Sequence, residues 1–95
     1  MKIEFDPAKS ARNVELRGLA FELVAEFDFD GAQIVADDRR DYNESRYRAI
    51  GTLRDDIAVA VFTMRDDVLR VISLRLASRK ERRQYEKSEG QSGSR

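Results

Sequence analysis

Between Arg70 and Lys87 seven basic side chains stand against only Glu81 and Glu86, whereas residues 1–69 hold 10 basic and 15 acidic ones, so a chain of zero formal net charge conceals a basic segment near its end. Arginine presents a planar fork of donors that matches phosphate oxygens and keeps its charge at any physiological pH. Arg70, Arg75, Arg79, Lys80 and Arg82 therefore point to an anionic ligand. With no cysteine and no histidine, thiolate and imidazole chemistry is excluded, and any proton transfer falls to Glu, Asp, Lys, Tyr or Ser. Glu81 is the obvious carboxylate for a general base, although Ser78 three residues before it forms a capping box that competes for the same group. Tyr85 can stack on a flat ligand, donate a proton or simply pack. Arg79, Arg82 and Tyr85 recur at intervals of three and can share one helix face. Alternation in a regular strand sends Arg70 and Arg75 to opposite faces, so Arg75, beside the basic helix, is the favoured cation, and only a bulge can re-aim Arg70. The pairs Asp37-Asp38, Asp55-Asp56 and Asp66-Asp67 lack the ordered ligand spacing of a calcium loop and read as solvated turn formers, so neither a metal nor a cofactor is expected.

The elements that must position these groups are legible from punctuation and period. A chain of 95 residues has room for one core. Lys2 to Phe5 alternates as a short edge strand. Asp6-Pro7 is an N-cap followed by a first-turn proline, and Gly18 is a C-terminal stop, which together predict a helix over Pro7 to Arg17. Ala20 to Phe27 reads as a second short helix, Ala32 to Ala36 as a strand, and Asp37 to Ser45 as a loop. Arg46 to Leu53, Ile57 to Arg65 and Val68 to Ala77 are separated by links short enough for antiparallel hairpins. The nearly unbroken apolar run Ile57 to Met64 suits a central strand covered on both faces. A last helix starts at the Ser78/Glu81 box and runs to about Lys87. Residues 1–87 thus form one α+β domain, an antiparallel meander sheet of four to five strands packed with two N-terminal helices and one C-terminal helix. Residues 88–95 read as a disordered tail. No apolar run has the length of a signal peptide or a membrane span, so a cytoplasmic protein without membrane contact is expected.

Phe5-Asp6-Pro7-Ala8-Lys9, Asn13, Gly18-Leu19-Ala20-Phe21-Glu22, Arg46 to Gly51, Arg70 to Ala77 and Glu81-Arg82-Arg83-Gln84-Tyr85 stand in the order in which similar segments occur in the BrnT toxins, and the chain resembles that family from about Ile3 to Tyr85. The sequence differs at Leu16-Arg17-Gly18, where members often carry Lys-His-Gly, and at Ser45-Arg46, where they often carry Glu-Arg. The resemblance implies a RelE/ParE-like fold, metal-independent cleavage of RNA that inhibits translation, and neutralisation by a BrnA-like antitoxin with a ribbon-helix-helix domain. Cleaving RNA without a metal requires activation of a 2′-hydroxyl, stabilisation of an anionic phosphorane and protonation of the leaving oxygen. Arg75, Arg82, Tyr85 and Glu81 are the candidate catalytic residues, and Arg70, Arg79, Lys80 and Arg46 the candidate RNA-phosphate contacts. Two other readings share this sequence: a toxin relative that binds as a partner or co-repressor without cleaving, and a ParE-like gyrase inhibitor.

Overall fold

The computed structural model describes residues 2–37 and 44–93, with side chains as far as 88. Five strands form one sheet: β1 (Lys2–Glu4), β2 (Gln33–Ala36), β3 (Arg46–Leu53), β4 (Asp56–Arg65) and β5 (Val68–Leu76), in the order β1-β5-β4-β3-β2. From β2 to β5 the chain is the antiparallel meander that the short links require. The sheet is not purely antiparallel, however, because β1 lies parallel to β5 with Ile3 beside Leu69. An alternating tripeptide specifies which face is buried but carries nothing about the direction of its neighbour, which is why the sequence reading missed this.

The hairpin turns are two residues long, with Arg54 and Asp66 both at φ 56°. Left-handed conformations match the twist of the flanking strands but strain a side chain other than glycine. The Arg54 side chain makes an exposed two-pronged pair with Glu26, at 2.9 and 2.8 Å.

Helix α1 (Pro7–Arg17) is capped as its sequence demands: the Asp6 carboxylate accepts from the Ala8 amide at 2.9 Å, and Gly18 takes φ 74°. Only Ser10 of α1 is buried. The helix is fastened by polar contacts, its Asn13 Nδ2 donating to the Leu19 and Leu74 carbonyls at 2.7 and 2.9 Å. The second short helix is a 3₁₀ helix, Phe21–Glu26, and it supplies Phe21 and Val24 to the main core. These pack on Ala49, Ala60, Phe62, Leu69 and Leu74 from one face of the sheet. Gly51 permits the approach of this segment, since a Cβ there would lie 2.9 Å from the Ala32 Cβ and 3.0 Å from the Phe27 ring.

Helix α2 (Arg79–Gly93) lies on the opposite face, where Tyr85 packs against Ile50 and Val59. It passes the Lys87 limit expected for it, because once a helix is nucleated each further residue adds a hydrogen bond. The middle of the loop expected over Asp37 to Ser45 lies outside the described residues, as do 94 and 95. Among the described residues no helix is long and apolar enough to cross a membrane.

Candidate functional site

The face of the sheet that carries α2 is built from alternate residues of each strand, and α2 covers only part of it. On β3, Tyr47 and Ala49 turn into the main core while Ile50 meets Tyr85, so Arg46 and Arg48 share the α2 face with Ile50. On β5 the alternation is broken. Val61 pairs with Ser73 but Phe62 pairs with Val71, leaving Ile72 as an extra residue in a β-bulge. Leu69, Val71 and Leu74 all reach the main core, a spacing of two and then three that a regular strand does not allow. The parity switch places Arg70 on the same face as Ser73 and Arg75, correcting the expectation that Arg70 and Arg75 diverge.

The register then defines three rows across this face. Arg46, Thr63, Arg70 and Glu4 form one, Arg48, Val61 and Ser73 the next, and Ile50, Val59 and Arg75 the third. At about 4.8 Å between strands, Arg46 and Arg70 are based roughly 10 Å apart, within reach of one ligand for side chains of this length. Beside the first row lies a polar cavity of about 310 Å³ whose lining includes Glu4, Glu44, Thr63, Arg65 and Arg70.

Arg75 is held from the start of α2. Its Nη1 and Nη2 donate to the two Glu81 carboxylate oxygens at 2.7 and 2.9 Å. Glu81 also accepts from the Ser78 amide at 2.8 Å, while the Ser78 hydroxyl accepts from the Glu81 amide at 3.2 Å. The capping box and the arginine clamp are thus one construction. The Arg75 hydrogen bonds, reinforced by those from Ser78, hold the Glu81 carboxyl at about 2, so it binds a proton too weakly to serve well as a base.

The other expected residues divide. Arg70 pairs with Glu4 at 3.1 Å, and Arg46 with Glu44 at 3.2 Å. Glu44 therefore supplies Arg46 with a carboxylate one residue before Ser45. Tyr85 is 6% exposed, which leaves no ring face for a ligand to stack on. Arg79, Lys80 and Arg82 are exposed. At about 100° per residue, Arg79 and Lys80 project roughly 120–140° away from Tyr85, and Arg82 about 60° away on the helix flank. The basic segment does not close as a ring around one point; its strand arginines, Arg70 and Arg75, share a face in separate rows, each paired with its own carboxylate, and the helix cations spread.

Arg48 is the residue that sequence reading missed. It is half-buried, and its Nε is enclosed with no hydrogen-bond partner. Leaving such a donor unpaired costs roughly 1–3 kcal/mol, and more on a charged group. The signal was present in the alternation Arg46, Arg48, Ile50, which assigns all three to one face. Among the described residues no group of three or more carboxylates is placed to hold a metal ion.

Arginines anchored on two strands that flank β4, beside a polar depression, suit recognition of a phosphodiester chain. No curated protein matches the chain closely enough to establish kinship. A family model does match, over residues 5–81, and it is described as ribonuclease toxin, BrnT, of type II toxin-antitoxin system. The match spans both faces of the sheet, the bulge and the Arg75–Glu81 clamp, and the chain belongs to the BrnT family of ribonuclease toxins.

Proposed function

We propose that RNA is bound and cleaved on the α2 face of the sheet, without a metal, by a RelE/ParE-like toxin acting in the cytoplasm. The observation that carries this reading is the bulge at Ile72, which brings Arg70 to the face of Arg75. Arg75 is the cation that stabilises the phosphorane, because Glu81 fixes its guanidinium before substrate arrives and no reorganisation is then needed. With Glu81 engaged and Tyr85 buried, solvent water takes the 2′-hydroxyl proton and supplies one to the departing 5′-oxygen. Glu81 is accordingly a positioning residue. Arg46 and Arg70 hold neighbouring phosphates, and Arg70 does so by exchanging an exposed pair with Glu4 that holds it only weakly. Arg82, on the helix flank, adds to the attraction, while Arg79 and Lys80 act at longer range.

A BrnA-like ribbon-helix-helix antitoxin neutralises the protein by covering this face with acidic side chains, competing with RNA for the same cations. The experiment is cleavage of RNA by purified protein in excess chelator, with analysis of the new ends. Products ending in 2′,3′-cyclic phosphate, lost in Arg75→Ala, are expected. Intact RNA after incubation with folded protein would return the molecule to the class of binders that do not cleave.

A further inference from the structure

Four arginines share the α2 face on β3 and β5, and three of them are engaged with carboxylates of the same chain: Arg46 with Glu44, Arg70 with Glu4 and Arg75 with Glu81. Arg48 is different. It sits between Val35 and Val61 in the register of the sheet, with Arg46 two residues before it and the Tyr85-contacting Ile50 two residues after. Among the described residues it forms no ion pair, and its enclosed Nε has no acceptor. The enclosed Nε is out of reach of a ligand. The terminal nitrogens of the same guanidinium are not enclosed and take part in no hydrogen bond among the described residues, which leaves a permanent charge on this face available to an anion.

We infer that Arg48 is a substrate-binding residue whose terminal guanidinium nitrogens donate to a non-scissile phosphate of RNA lying across the α2 face. The inference rests on the reading of that face as the RNA surface. In the register of the sheet Arg48 is flanked by Val35 and Val61, neither of which offers a carboxylate to compete for its charge. The rows on either side carry Arg46 with Arg70 and, farther along, Arg75. A strand crossing from the first row to the third passes over Arg48, so its phosphate contact adds affinity equally before and during reaction at Arg75.

The test uses Arg48→Met, which keeps the aliphatic stem and removes both charge and donor, with Arg83→Ala as a control on the exposed side of α2. Binding is measured against salt with a fully 2′-O-methylated oligoribonucleotide, which lacks the attacking hydroxyl, and cleavage is measured with ordinary RNA. Losing one phosphate contact lowers the slope of log K against log salt by about 0.7 for a single strand. Arg48→Met is expected to show that drop and a roughly tenfold rise in KM with kcat little changed, as loss of uniform binding requires. Its melting temperature should be equal to or above that of the wild type, since the unmatched donor is gone. A purely structural arginine gives the reverse, a lowered melting temperature with unaltered binding slope and KM, and that result overturns the inference while leaving the RNA surface intact. Wild-type protein that neither binds nor cleaves RNA overturns both.

Discussion

Replacing Glu81 with Gln separates the charge of the Arg75 clamp from the geometry of the helix cap, because Gln fills the same position in a capping box. The carboxyl lies at about 2 instead of its ordinary 4.5, which at 1.36 kcal/mol per pH unit sets an upper limit of roughly 3 kcal/mol on the stability it contributes. The Arg75 and Glu81 side chains are 29% and 20% exposed, and screening by solvent reduces this to about 1–2 kcal/mol. A depressed carboxyl stabilises the fold above its unfolded value and loses that contribution as acid protonates it. The Glu81 increment should therefore be complete at pH 7, decline below about 4.5 and be largely gone near 2. Urea unfolding of wild type and Glu81→Gln at pH 7 and at about pH 2.5 reads this directly. At pH 7 the variant should be weaker by about 1–2 kcal/mol, equivalent to roughly 5–15 °C in melting temperature for a domain of this size. The gap should narrow in acid. An equal gap at both pH values would refute the clamp as an ionic contribution. The same variant should lose RNA cleavage at pH 7, since Arg75 would no longer be held in place.

Arg70→Ala should lower RNA cleavage about 10- to 100-fold through loss of a charge-assisted contact, yet leave urea stability within about 0.5 kcal/mol because its pair with Glu4 is exposed. An Arg79→Ala, Lys80→Ala double variant should cleave within about threefold of wild type at physiological salt, where screening acts over roughly 8 Å. Asn13→Ala leaves the Leu19 and Leu74 carbonyls without their shared donor and should cost about 1–3 kcal/mol in denaturant unfolding. Titration calorimetry of the toxin with its antitoxin should show tighter binding at low salt, and affinity independent of ionic strength would remove the charge competition from the proposal.

The hairpins were legible because turn residues and apolar periodicity mark them locally: β3 occupies the range Arg46–Leu53 read from sequence, and β4 and β5 differ from it by one residue at one end. The Asp6 cap, the Gly18 stop and the Ser78/Glu81 box were legible for the same reason. What failed was information shared between distant segments. Val71-Ile72 is an apolar doublet whose meaning as a bulge emerges only against β4. The direction of β1 depends on an edge that its own residues do not encode. Tyr85 had three readings until Ile50 and Val59 closed around it. Arg48 drew no attention because the basic bias was sought in the C-terminal segment, whereas the face is assembled from β3 as well.

The parallel pairing of β1 also orders events during synthesis. Glu4 meets Arg70 across 66 positions of sequence, and Arg75 is not fastened until Glu81 has left the ribosome. A nascent chain that stops before Val68 thus has no partner for its first strand, and one that reaches Leu76 but stops before Glu81 has closed the sheet without yet holding Arg75. Closure of the sheet therefore precedes fastening of Arg75, and the two can be separated by truncation between Leu76 and Glu81.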